Sequence, residues 1–320
     1  MFREVNIFVN HGIIKTGYQR KRKEEETMIY AKLNNGVEIP MLGLGVFRTP
    51  DGEETINSVK WALEAGYRHI DTAKMYENEA SVAAGIKAAG LNREDVFVTS
   101  KILPADIIAG KTAEGFDQTL EKLGSDYVDM MLLHFPMTDE MNIAAWKTME
   151  EYYKAGKARV IGVSNYSNRQ LQVILDMCEI APAVNQFHID PLNNDQERLD
   201  FCMSKGIYTE AASPFGGTGR TDRILGNPKI VELAEKLGKT PAQVVIRWNL
   251  QRGTIMIPKS THKERIVSNF DVFDFELNEE SMAVMESLND PENNQPFMDP
   301  EKAYDMWSGR IPRPFPPRHE

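Results

Sequence analysis

Four residues of this chain, Asp71, Tyr76, Lys101 and His134, have the types needed to move a proton between them. Asp71 and Tyr76 lie in Gly66-Tyr67-Arg68-His69-Ile70-Asp71-Thr72-Ala73-Lys74-Met75-Tyr76-Glu77-Asn78-Glu79. The first half of this stretch reads as a short strand ending at Asp71, and Tyr76 falls in the turn before a helix. Lys101 comes at the end of Val98-Thr99-Ser100-Lys101-Ile102, and His134 follows Met131-Leu132-Leu133. A phenol with an ordinary pKa of about 10 is a poor acid near neutrality. A neighbouring ammonium favours tyrosinate, so Lys101 would make Tyr76 a better proton donor. Asp71 can pair with Lys101 and keep it charged and fixed. His134 brings a fourth ionisable side chain to the end of a neighbouring strand. Each residue also has a plainer role: a turn-capping acid, a packed ring, a lysine reaching water, a satisfied core histidine. Glu77, Asn78 and Glu79 read as the start of the next helix.

These residues act together only if the elements carrying them end on one rim. From Met41 onward strand and helix alternate. Strands are expected at Met41–Gly45, Tyr67–Asp71, Val96–Ser100 running on to Lys101, Tyr127–Leu133, Ala158–Val163, Ala183–Phe187, Ile207–Ala211 and Thr254–Ile257. Helices follow each, and Gly66, Gly90, Gly124, Gly156 and Gly206 mark the ends of five. Spacings of about 25–50 residues suit parallel strands joined by helical crossovers. Eight such units predict an α/β fold, a closed (β/α)8 barrel whose active site lies at the C-terminal ends of its strands. Asn35-Gly36, between two short alternating runs over residues 31–39, predicts a β-hairpin plugging the N-terminal mouth. An open dinucleotide-binding sheet would need a third glycine after Gly43-Leu44-Gly45, and Val46-Phe47-Arg48 follows instead. A last helix is expected over Glu276–Leu288, and the Pro-rich tail after Asn289 as a loop draped over the rim.

The chain has 320 residues, 42% of them hydrophobic, which suffices for one large barrel. Its net charge of -10 argues against nucleic acid as a partner, which would need a basic face. Cys178 and Cys202 form no disulfide framework and are expected in helices, inert, in a reducing cytoplasm. No run approaches the roughly 18 apolar residues of a membrane helix, and no metal-ligand cluster stands out. Residues 1–27 carry Arg20-Lys21-Arg22-Lys23 after a short apolar run, the reverse of a signal peptide's order. They are expected to be a disordered extension or the product of a misassigned upstream start, and residues 28–320 a single domain, monomeric or at most dimeric.

The sequence resembles the aldo-keto reductase superfamily, in particular bacterial NADPH-dependent members akin to diketogluconate and methylglyoxal reductases. The resemblance rests on G-Y-R-H-I-D-T-A…Y-E-N-E (66–79), S-K-I (100–102), L-L-H-F-P (132–136), G-V-S-N (162–165), N-Q-F (185–187), S-P-F-G (213–216) and I-P-K-S…R-I…N (257–269). It implies reduction of an aldehyde or ketone, with Tyr76 as acid and Lys101, Asp71 and His134 in support. Family members that reduce a carbon–carbon double bond carry Glu in place of this His. The resemblance also implies NADPH as hydride source. Ser164, Asn165 and Gln186 would bind the nicotinamide carboxamide, the plainer reading being turn formation and helix capping by Ser164-Asn165. Lys259, Ser260 and Arg265 would hold the 2′-phosphate, or else form an exposed basic face. Asn269 matches a residue near the adenine, and Ser213 and Phe215 lie in the cofactor loop. Ala212 occupies the place of an aromatic ring that stacks on the nicotinamide, and Ser268 that of a Glu near the adenine. Val46-Phe47 stands where Thr-Trp is usual, and Phe47 and Phe135 would line an apolar substrate pocket or simply pack. A nucleotide-binding sensor or regulatory subunit of the same fold, with negligible turnover, is the alternative.

Overall fold

The structure is a computed structural model, and it describes residues 28–217, 219–290, 292 and 299–310, together with 7–9 and 12–14. The expected extension over residues 1–27 lies outside these, except that β1 (Ile7–Val9) pairs antiparallel with β2 (Gly12–Ile14). The predicted hairpin forms from β3 (Tyr30–Lys32) and β4 (Glu38–Pro40). Asn34 Nδ2 donates to Pro182 O and Asn35 Nδ2 to Arg159 O, each at 2.9 Å. Those carbonyls stand at the entry ends of two barrel strands, so the hairpin covers the N-terminal mouth, with Leu33 and Ile39 buried beneath it.

The barrel strands are β5 (Leu44–Gly45), β6 (His69–Asp71), β7 (Phe97–Ile102), β8 (Val128–Leu133), β9 (Ala158–Ser164), β10 (Val184–His188), β11 (Tyr208–Ala212) and β12 (Ile255–Met256). Each pairs in parallel with the next in sequence order. Bridges Leu42↔Met256 and Gly45↔Lys259 close the ring. Helices wrap the outside, and every residue of β7 and β8 is buried, as strands covered on both faces must be. The first strand is shorter than expected because Met41 and Gly43 bond across the seam to Met256, at 2.8 and 2.7 Å. Gly45 sits at that seam, where a Cβ would stand 2.8 Å from Ile257 O. Gly66 ends the helix Glu53–Ala65 with φ 111°, a left-handed cap that only glycine adopts freely, and aims the chain into β6.

Two expectations need correction. The described part of the tail is not an irregular loop: it forms a short 3₁₀ turn, Pro300–Lys302, and a helix, Ala303–Trp307. Ala303 and Met306, three apart, face inward and are buried, which anchors that turn. Cys178 stands just past the end of the helix Asn168–Met177, half-buried, whereas Cys202 is buried within its helix. Among the described residues no helix is long and apolar enough to cross a membrane.

Candidate active site

The C-terminal ends of β6, β7 and β8 bring Asp71, Lys101 and His134 to one rim, and the turn Lys74–Tyr76 lays Tyr76 beside them. That turn is pinned by Asn78. Its Nδ2 donates to Val46 O and Thr49 O, both at 3.0 Å, and its Oδ1 accepts from Thr72 Oγ1 at 2.8 Å. Lys101 Nζ donates to Asp71 Oδ1 (2.7 Å), Asp71 Oδ2 (2.8 Å) and Thr72 O (2.8 Å), and reaches Tyr76 Oη at 3.3 Å. Lys101 is wholly buried, so its charge is held by these oxygens and not by water. Burial acts most strongly and would lower its pKa, but the summed attraction of Asp71, Tyr76 and Glu210 raises it. The ammonium therefore stays charged.

The phenol does not follow the direction expected from its neighbour. Burial pushes Tyr76 up to about 12; Lys101 pulls it down by less, while Asp71 and Glu210 push it further up. That Lys101 and Tyr76 share a rim is visible in the sequence pattern; the loss of solvent around both groups is not. His134 is buried, and burial, aided by the Lys101 charge, holds its pKa well below the ordinary value, so the ring is neutral. Its Nδ1 has no hydrogen-bond partner in the structure. The ring stacks on Phe135 at 4.6 Å and meets Tyr76 edge-on at 5.7 Å.

Two cavities open above this cluster and share Phe47, Tyr76, Gln186, Ala212 and Ser213. One, of about 90 Å³, is lined also by His134, Phe135, Ser164 and Asn165. The other, of about 290 Å³, runs past Asp71, Phe215 and Lys259. Asn165 is fixed by Nδ2 donating to His134 O and Ser164 Oγ, both at 3.0 Å. Ser260 is buried, and its Oγ accepts from His262 N at 3.2 Å, capping the turn into the helix Lys263–Phe270. Arg265 is exposed on that helix and Asn269 buried; neither lines the cavities.

Several lining residues were not anticipated: Arg48, Met75, His188, Arg198 and Pro300, with Trp307 behind Phe135 at 5.4 Å. Glu210 was also missed; it is fully buried beneath Gln186, and the only hint was an acid inside the otherwise uncharged strand Tyr208–Ala212. A further mark of the site is backbone strain. Among the described residues, the non-glycine positions with left-handed φ are Arg48, Glu77, Asn165, Asp195 and Ser213. Four of them line the cavities and the fifth follows Tyr76. Such strain persists only where surrounding structure over-determines it, and it concentrates at sites of function.

The donor set fits a nicotinamide nucleotide. Both hydrogens of the Gln186 amide are spent inward, on Asp71 Oδ2 (2.9 Å) and Glu210 Oε2 (2.7 Å), which leaves its carbonyl for an incoming amide. Lys259 supplies a cation at the far wall of the larger cavity.

A family model described as the Aldo/keto reductase family matches residues 41–290. The 9,11-endoperoxide prostaglandin H2 reductase of Trypanosoma cruzi is 45% identical over 258 residues, 81% of this chain and 90% of that protein. The glyoxal reductase of Bacillus subtilis is 43% identical over 268 residues, 84% of this chain and 95% of that one. A solved structure of a Bombyx mori aldo-keto reductase in complex with NADP superposes with a TM-score of 0.77 at 34% identity, covering 87% of this chain and 96% of the other.

Proposed function

The chain belongs to the aldo/keto reductase family, and from that premise we propose that it reduces a small aldehyde or ketone to the alcohol with NADPH, Tyr76 delivering the proton. The observation that carries this reading is the Lys101 ammonium, chelated by Asp71 and in reach of the Tyr76 hydroxyl at 3.3 Å, under a cavity lined by His134. Ser164, Asn165 and Gln186 would hold the nicotinamide carboxamide, Ser213 and Phe215 the loop beside it, and Asn269 the adenine. Lys259, Ser260 and Arg265 would hold the 2′-phosphate, a grouping that favours NADPH over NADH. The bound cofactor supplies the hydride, which no side chain can.

The chain's own residues supply the rest. Phe47, Phe135, Met75 and Trp307 make an apolar wall that excludes water and takes the unreacting part of the substrate. The carbonyl oxygen is received between the neutral His134 ring and the Tyr76 hydroxyl. As that oxygen gains negative charge, Tyr76 Oη gives up its proton, and the Lys101 ammonium steadies the tyrosinate left behind. Asp71 acts indirectly, by keeping Lys101 charged and aimed. A phenol raised to about 12 remains protonated throughout the neutral range, as a proton donor must.

The test is oxidation of NADPH, followed at the nicotinamide absorbance, with a panel of aldehydes and ketones including glyoxal and aromatic aldehydes. Turnover is expected for some of them, falling about a thousandfold or more in Tyr76→Phe. Equal rates for wild type and Tyr76→Phe on every substrate would end the assignment. Tight NADPH binding without turnover across the panel would assign the barrel to nucleotide sensing instead.

A further inference from the structure

Glu210 lies on β11 directly across from Gln186 on β10, the two being Cα partners in the parallel ladder. Both side chains point into the barrel, and Glu210 is fully buried. Its Oε2 accepts from Gln186 Nε2 at 2.7 Å, and the second hydrogen of the same amide goes to Asp71 Oδ2 at 2.9 Å. The amide of Gln186 is therefore clamped between two acceptors. A half-turn would set its carbonyl against the Asp71 carboxylate, and against Glu210 as well once that group is ionised.

The other oxygen of Glu210, Oε1, has no hydrogen-bond partner. It stands 3.7 Å from His69 Nε2, beyond hydrogen-bond range, and that nitrogen is already engaged by Thr99 Oγ1 at 2.9 Å. The ionisable groups acting on Glu210 are thus His69 and Asp71 on β6 and Lys101 on β7, and Glu210 in turn acts on Tyr76. Burial holds His69 neutral, with its pKa lowered to about 3. Lys101 is committed to Asp71, so the region holds one cation for two carboxyl groups. A bare carboxylate oxygen in such a place is costly, and the group keeps its proton to a higher pH than an exposed acid. Burial and the charge of Asp71 raise it to about 8.

We infer that Glu210 is a positioning residue of the active site: its carboxyl locks the Gln186 amide with the carbonyl turned outward to the nicotinamide, and its charge state sets the field under that ring. The inference rests on Gln186 being a nicotinamide contact, as proposed above. The oxidised ring carries a positive charge and the reduced ring does not. A positive ring over Glu210 stabilises the ionised carboxyl, so by linkage NADP⁺ affinity rises relative to NADPH as Glu210 loses its proton.

The experiment measures dissociation constants of NADP⁺ and NADPH by protein fluorescence at about pH 6.5 and about pH 9, either side of the carboxyl's range. It uses wild type, Glu210→Gln and Glu210→Leu. Glu210→Leu removes the acceptor and is expected to weaken both nucleotides about tenfold. Glu210→Gln keeps an acceptor for Gln186 and is expected to stay within about threefold of wild type at the lower pH. In wild type the NADP⁺-to-NADPH affinity ratio should rise at least about threefold between the two pH values, and in Glu210→Gln it should not. Wild-type affinity in Glu210→Leu, or an unchanged pH response in Glu210→Gln, would overturn the inference. Should Glu210→Leu fail to fold by circular dichroism, the pH response of Glu210→Gln decides alone. A wild type that binds neither nucleotide would overturn the cofactor reading itself, and this inference with it.

Discussion

The barrel buries carboxyl groups at both ends of its strands and treats them in opposite ways. Near the N-terminal end, Asp129 on β8 is buried, forms an ion pair with Arg93 Nη1 at 2.7 Å, and accepts from Arg159 Nη1 at 2.5 Å and Val98 N at 2.9 Å. Two guanidinium groups and an amide serve one carboxylate. Toward the C-terminal end, Lys101 pairs with Asp71 alone, and Oε1 of the neighbouring Glu210 has no hydrogen-bond partner. All the described non-glycine residues with left-handed backbone lie on this second side. The lower carboxylate is tied to groups of the fold on every side. An under-satisfied one has its protonation shifted by its surroundings, and such shifts cluster at functional sites.

Lys101→Met tests that contrast most severely. It removes the one cation of the upper cluster and leaves Asp71 and Glu210 buried together. Turnover should fall about a thousandfold or more, because nothing then steadies the tyrosinate. Stability should fall by about 3 kcal/mol, the scale for breaking one side of a buried pair. Tyr76→Phe should match the loss of rate but not the loss of stability, since it removes only a hydroxyl. Steady-state rates and urea midpoints of the two variants separate these effects. If both variants lose rate and stability alike, the upper cluster is structural in the same sense as the lower one.

Asp129→Asn probes the other end. Arg93 and Arg159 would lose their common counter-charge, so a loss of about 3 kcal/mol is again expected. Here kcat per folded molecule should stay within about twofold of wild type, because the change lies at the far end of the strand from the cavities. A tenfold drop in kcat, with the protein shown folded at the assay temperature, would mean that the two ends are coupled.

The sequence made one end of this contrast easier to read than the other. Strands such as Val128–Leu133 are apolar on both faces apart from Asp129 and are bounded by turn residues, so the alternation of eight units was legible. Asp71, Lys101 and His134 stood out because they are polar at the ends of such runs. Glu210 did not, because it sits within a strand, where a single acid gives no periodic signal. The direction of the Tyr76 shift was misread for a related reason: spacing puts Lys101 nearby, but burial is a property of the closed barrel. The left-handed backbone at Ser213 has no mark in residue type, and at Asn165 only the general tolerance of asparagine for that region. Trp307 behind Phe135 was equally hidden, since a Pro-rich tail carries no pattern that says where it folds back.

Ala212 offers the finest test, on the border between what packing demands and what the cofactor demands. It lines both cavities at the end of β11, next to Ser213, and its methyl group leaves the space above Gln186 without a ring. A tyrosine there would extend from a strand end already fixed by the ladder, over a cavity of about 290 Å³ that has room for it. Stacking on a bound nicotinamide is worth about 1 kcal/mol, so Ala212→Tyr should tighten NADPH about fivefold by fluorescence titration. Turnover should change little or fall slightly if cofactor release limits the rate. A substitution that weakens NADPH would show that Phe47, Phe215 or Trp307 already occupies the space. In that case the missing ring has been replaced from elsewhere in the fold, and the upper cavity is as tightly determined as the cluster beneath it.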